Sequence, residues 1–347
     1  MLLSILLCGT LPCSAQAAFQ DPLDSPSVIV DQLGKRSMQA VGMAGKRLVT
    51  VGARGVIAIS DDDGRTWSQS ISPVQSDLVA VHFTNERKGW SVGHDGVVLH
   101  TEDGGKTWQK QLDGRAAHKL FVQYYKAGAE SGNAAYKAAL RAVERNYKTG
   151  PTLPLLDVWF DDERNGFAVG AFGLIIGTTD GGRTWAPWLD RIDNPEMLHL
   201  NAVRGGDGGV YIAGERGAIF RLDRAQNRFV AVATGYTGSF FGLAVSKNIL
   251  LAYGLKGAVY RSADHGQTWG AVDVPSPTTI NGGTVLQASE GFVLVNIAGE
   301  MLIGDASGQR FSSRKGNKGW RYTGVATLPG ERIAVTALEG IQVESLK

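Results

Sequence analysis

A short signature, Gly-x-x-Gly followed by an apolar strand, recurs along the chain, and its spacing restricts the fold more than any other feature. It reads VGARGVIAIS at Gly52, VGHDGVVLHT at Gly93, VGAFGLIIGT at Gly170, AGERGAIFRL at Gly214 and YGLKGAVYRS at Gly254. Degenerate copies follow at VNIAGEMLIG (Asn296) and VTALEGIQVE (Ala337). Successive copies start 41, 77, 44, 40, 42 and 41 residues apart. The chain is therefore seven units of about forty-one residues, one of which carries 36 extra. Each unit parses into four short strands. In unit 2 these are LVAVHF, GWSVG, GVVLHT and TWQKQL, joined by turns rich in Gly, Asp and Asn. Four-stranded units of this length, repeated seven times, predict an all-β fold, the seven-bladed β-propeller.

The propeller is expected over 26–347. Unit 7 offers only three strands, YTGVATL, RIAVTA and GIQVESL, and SVIVDQL at 27–33 is assigned as the strand that closes blade 7. A helical insertion at 113–150, between blades 2 and 3, accounts for the long spacing.

A second phrase keeps step with the first: SDDDGRTW at 60–67, TEDGGKTW at 101–108, TTDGGRTW at 178–185 and SADHGQTW at 262–269. It falls in the turn between the third and fourth strands. Its aspartates (Asp62, Asp103, Asp180, Asp264) can accept backbone N–H groups of their own turn. Its tryptophans (Trp67, Trp108, Trp185, Trp269) can lie over their own hairpin or against the next blade. A catalytic group is needed once, whereas this one recurs, so the phrase reads as a structural staple. Faded copies, RLDRAQNRF and IGDASGQRF, stand in units 4 and 6.

The phrase is the BNR or Asp-box repeat. The strings GWSVGHDGVVLHTEDGGKTW and GFAVGAFGLIIGTTDGGRTW resemble the photosystem II stability/assembly factor family. That resemblance implies a seven-bladed propeller with a non-enzymatic assembly or scaffold role outside the cytoplasm. It also implies a membrane protein or membrane-protein complex as partner, a reaction-centre protein in photosynthetic members; in a non-photosynthetic bacterium the expected partner is a membrane transporter. No cofactor is expected.

Other classes are weighed on their chemistry. A net charge of +2 argues against nucleic acid as a partner, which calls for a strongly basic face. The alternative function is a periplasmic sialidase-like glycoside hydrolase or glycan-binding propeller, which requires an arginine cluster or two facing carboxylates. No Phe/Tyr-Arg-Ile-Pro string is present, and the densest carboxylates, Asp161, Asp162 and Glu163, fall in a hairpin turn. The six histidines lie in different units without ligand spacing, so no metal site is expected. The start, MLLSILLCGTLPCSAQA, is an apolar run ending in a small-x-small pattern and reads as a signal peptide over 1–17. The expected location is export to the periplasm, or a thylakoid lumen in a photosynthetic cell. Cys8 and Cys13 would leave with it.

Partner contacts are expected on the face that carries the Gly-x-x-Gly turns, through Arg54, Phe172, Arg216 and Lys256, with Asp95 among them. The insertion lies on the same face. NAAYKAALRAVERNYK reads as an amphipathic helix with an apolar stripe (Tyr136, Leu140, Val143, Tyr147) and a basic flank (Lys137, Arg141, Arg145, Lys148). HKLFVQYYKAG adds Phe121, Tyr124 and Tyr125, of which Tyr124 and Tyr125 are candidates for partner binding. The insertion is expected either to pack on the propeller or to dock a protein partner or an anionic membrane surface.

Overall fold

The computed structural model describes residues 20–347, so the signal-peptide reading over 1–17 lies outside the described residues. Among the described residues, six four-stranded antiparallel sheets and one three-stranded sheet follow one another. In blade 2 the strands are Leu78–Phe83, Gly89–Gly93, Val98–Thr101 and Gln109–Leu112, as the repeat predicts. The seven inner strands (Met38–Ala44, Leu78–Phe83, Leu155–Phe160, Leu200–Gly206, Phe240–Ser246, Ile280–Val285, Tyr322–Leu328) each neighbour the next, and the last neighbours the first. They surround a central channel.

The Gly-x-x-Gly turns explain their own residues. The second turn residue is left-handed in Arg54, Asp95, Phe172, Arg216 and Lys256, with φ between 52° and 57°. The glycine before each turn approaches the chain entering the inner strand. At Gly93 a Cβ would lie 1.9 Å from the Asp77 carbonyl oxygen, and at Gly214 2.3 Å from that of His199.

The Asp box is the same network four times over. In blade 2, Thr101 Oγ1 donates to Asp103 Oδ1 (2.9 Å) and accepts from Gly105 N (2.9 Å). Asp103 also accepts from Thr107 N (2.9 Å) and Thr107 Oγ1 (2.6 Å). Blades 1, 3 and 5 repeat it around Asp62, Asp180 and Asp264. The donors hold these carboxyls below the usual range. Asp62 and Asp264 fall to about 2, with the Thr66 and Thr268 hydroxyls as the largest cause.

The tryptophans do two things. Trp67, Trp108 and Trp269 donate Nε1–H to a glycine carbonyl of their own turn (3.1, 3.0 and 3.2 Å). Their rings pack backward on the preceding blade, not on the next. Trp108 joins Val49 and Val51 of blade 1, Trp185 joins Trp90 of blade 2, Trp269 joins Tyr211 of blade 4, and Trp67 joins Leu328 and Ala334 of blade 7. Where the box has faded, Phe229 and Phe311 take the same place against blades 3 and 5. Burying an aromatic ring at each joint contributes roughly 1.5–3 kcal/mol.

The expected closing strand is corrected. Blade 7 has three strands, and 27–33 forms no strand in it. The segment runs beside the outer edge of blade 1. There Ser27 N donates to the Ser72 carbonyl (2.9 Å), and the Gln69 amide bridges Val28 O (2.8 Å) and Val30 N (2.9 Å). Leu33 is then buried between the blades with Met38, Ala58 and Ile341. Side chains close the ring instead: Thr323 Oγ1 donates to the Met38 carbonyl (2.7 Å), and Arg332 pairs with Asp63 (2.9 Å).

Candidate functional site: a groove beneath the helical insertion

The insertion is a helical hairpin, α1 (Gly114–Glu130) and α2 (Ala134–Asn146). Asp113 caps α1 through the N–H groups of Arg115 and Ala116, and Asn133 caps α2 through those of Ala135 and Tyr136. Gly128 permits the close packing of the pair, since a Cβ there would sit 1.8 Å from the Tyr136 ring. The hairpin buries Phe121, Tyr125, Val143 and Tyr147 against Leu153, Leu155 and Leu174 of the propeller. The apolar stripe expected of α2 is thus its packing face.

One expectation is corrected here. Tyr125 is fully buried and is no partner contact. Its hydroxyl donates to Asp190 Oδ1 (2.9 Å) and accepts from Leu189 N (2.9 Å), clamping α1 to the connection between blades 3 and 4. Burial, reinforced by the Asp190 charge, pushes its ionisation up, so the phenol stays neutral. Tyr124 is half-buried, and its hydroxyl accepts from Arg191 Nη2 (3.0 Å) and Tyr136 Oη (3.2 Å).

That connection floors a groove of about 400 Å³. One wall is α2, through Ala135, Ala138, Ala139 and Ala142 with Arg141 and Arg145. The other is Ile192, Pro195 and Met197. The Asn194 side chain ties the bend by accepting from Leu198 N and donating to Leu198 O (both 3.0 Å).

The groove also meets two turns of the ring face. The Phe172 carbonyl accepts from Asn146 Nδ2 of α2 (3.3 Å), and its ring, 49% exposed, stands edge-on to His199 (4.8 Å). Arg216 pairs with Glu196 of the same connection. Arg141, Arg145, Phe172 and Arg216 are therefore gathered around residues 190–199. Lys137 on α2 and Lys148 just beyond its end are exposed without lining the groove, while Arg54 and Lys256 stand on blades 1 and 5. Asn194, Met197 and His199 were not anticipated. Their trace in the sequence is the 44-residue spacing from Gly170 to Gly214, longer than the 40 to 42 residues of the other units without the insertion.

The central channel is a separate cavity of about 180 Å³. Its lining holds one arginine, Arg204, and one carboxylate, Asp157, and the two are paired with each other. Asp157 also accepts from Val203 N (2.8 Å). The pair thus joins blades 3 and 4, and among the described residues neither an arginine cluster nor two facing carboxylates line this cavity. The carboxylates of the hairpin turn are held by neighbours: Glu163 by Lys88 (2.6 Å) and Asp161 by Arg224 (3.0 Å). Among the described residues no three His, Cys, Asp or Glu side chains converge as metal ligands, and no helix is long and apolar enough to cross a membrane.

Fold and repeat together define a seven-bladed propeller of the Asp-box kind. The family model described as "Photosynthesis system II assembly factor YCF48" matches residues 46–116 and 142–289, and the chain belongs to that family. The matched stretches leave out 117–141, most of the hairpin. No curated protein matches the chain. Among solved structures it resembles YCF48 bound to D1 peptide, with 15% identity over 96% of this chain and 99% of that one and a TM-score of 0.64. YCF48 from Cyanidioschyzon merolae gives 15% identity, 89% and 95% coverage and a TM-score of 0.63. The WD40 propeller domain of Doa1 gives 9% identity, 94% and 97% coverage and a TM-score of 0.63. At these identities the likeness is one of fold.

Proposed function

We propose that this chain is an exported, non-catalytic scaffold that holds a segment of a membrane protein while its complex is assembled. The groove beneath α2 is the holding site. The observation that carries the reading is that Arg141 and Arg145 line the groove while Phe172 and Arg216, from two further parts of the chain, meet the same connection at His199 and Glu196. Family membership supports the scaffold role, and a propeller of the same fold has been solved with a peptide bound. Arg141 and Arg145 make no ion pair among the described residues, whereas Asp190 beside them is engaged by Tyr125. The groove therefore favours a segment that brings a carboxylate, with an apolar side chain against Met197 and Phe172. The partner complex is a photosystem in a photosynthetic cell, or a membrane transporter in another.

The test is photocrosslinking in the native cell from a benzophenone amino acid placed at Ala138. A membrane protein should be captured, and Arg141→Glu with Arg145→Glu should abolish that capture while the melting temperature stays unchanged. Undiminished capture by the charge-reversed protein rejects the groove as the site. The hydrolase reading has no comparable support, because the central cavity presents a single arginine already paired with a single carboxylate.

A further inference from the structure

Exposed apolar side chains cluster elsewhere on the ring face. Leu255, Ile297 and Leu338 occupy the first turn position of blades 5, 6 and 7, where blades 1 to 4 carry Ala53, His94, Ala171 and Glu215. They are 37%, 45% and 40% exposed, and Phe241 beside the channel mouth is 37% exposed. None of the four belongs to a core cluster among the described residues. Each tip is fixed by its backbone: the N–H groups of Leu255, Ile297 and Leu338 donate to the carbonyls of Ser239, Thr279 and Arg321 (3.0, 3.2 and 3.2 Å). Equivalent turns of one ring stand at one level, so these tips would meet a flat surface together.

The charges on the face are arranged unevenly. The carboxylates at and beside its turns are engaged by the protein's own donors. Asp95 accepts from Ser76 Oγ (2.6 Å), Asp77 from Arg54 N (2.7 Å), Glu215 from His199 N (2.8 Å), and Glu339 from Arg321 N and Nε (3.0 and 2.7 Å). The side chains of Arg54 and Lys256 are exposed and form no ion pair among the described residues. Lys318 lies over the Trp320 ring at 4.3 Å, in the connection between blades 6 and 7. Apolar tips interleaved with unpaired cations, and acids already engaged by the protein, suit an anionic bilayer interface.

We infer that the Gly-x-x-Gly face rests on an anionic lipid surface through Leu255, Ile297, Leu338 and Phe241, with Arg54 and Lys256 meeting the headgroups. This contact is independent of what the groove holds. It would place the groove, on the same face, beside the membrane in which a partner is embedded.

The experiment uses the purified chain with sedimenting vesicles, either phosphatidylethanolamine with phosphatidylglycerol or phosphatidylcholine alone. The protein should sediment with the anionic vesicles and stay in solution with the neutral ones. Leu255→Ser, Ile297→Ser and Leu338→Ser combined should weaken sedimentation about tenfold. Lys256→Glu should weaken it several-fold. All four side chains are exposed, and an unchanged thermal melt confirms that each variant is folded. The inference is overturned if the wild type ignores anionic vesicles, if it binds neutral vesicles equally, or if the triple variant sediments as the wild type does.

Discussion

Arg332 of the last blade donates from Nη2 to Asp63 Oδ2 of the first at 2.9 Å, across 269 positions of sequence. The same joint holds the Thr323 hydroxyl on the Met38 carbonyl and buries Leu48 with Leu328 and Ala334. The ion pair is part-exposed and the apolar contact is not. Arg332→Ala should therefore cost at most about 1 kcal/mol, while Leu328→Ala should cost about 2–5 kcal/mol. Urea unfolding of the two variants checks the order, and a larger loss from Arg332 would mean that the pair closes the ring.

The Asp box offers an internal contrast. Thr101 is buried and accepts from the buried Gly105 N–H, whereas Thr107 is exposed. Thr101→Val strands that N–H and should cost about 1–3 kcal/mol. Thr107→Val leaves groups that water can reach, so its cost should be smaller. Chemical denaturation of both variants gives the comparison.

His82 supplies a pH dependence. Burial, with the Arg204 charge as a second cause, lowers its pKa from 6.5 to about 3, and its Nε2 lies 3.2 Å from the Phe160 carbonyl. In the unfolded chain the ring takes a proton near pH 6.5, and in the folded chain it does not until about pH 3. Acid therefore favours the unfolded state across that window. The contribution of His82 should fall by up to about 1.4 kcal/mol per pH unit between those values and be fully present above pH 6.5. Unfolding free energies at a series of pH values should show a shallower slope for His82→Gln.

Tyr125→Phe keeps the buried ring and removes the hydroxyl that Asp190 and Leu189 share. A cost of about 1–3 kcal/mol is expected. Because the clamp fixes the groove floor, hydrogen exchange in residues 189–197 should rise more than in the inner strands. Uniform exchange across the blades would show that the hydroxyl does not position the floor.

Much of this architecture was legible because propeller blades are built from local pairing. Strand alternation and turn chemistry sit within about forty residues of each other, so the blades, the Asp boxes and the stripe Tyr136–Tyr147 could be read directly. The misreadings involve contacts between distant segments. SVIVDQL has the composition of a strand, but its Ser27 and Val30 N–H groups and Val28 carbonyl are met by Ser72 and Gln69 of blade 1. Periodicity located the tryptophans without showing which neighbouring blade receives them. Tyr125 looked available because its partner, Asp190, lies 65 residues away. The groove depends on a connection whose only mark was extra length.

The backward packing of the rim aromatics gives construction of the ring a direction. Each blade from 2 to 6 carries the Trp or Phe that seals it to the blade already made. A chain emerging from its N-terminus can therefore lay one blade against the last without waiting for any later blade. Blade 1 alone must hold its tryptophan in reserve: Trp67 finds Leu328 and Ala334 only when the final blade arrives. The keystone of this arch is thus laid first and locked last.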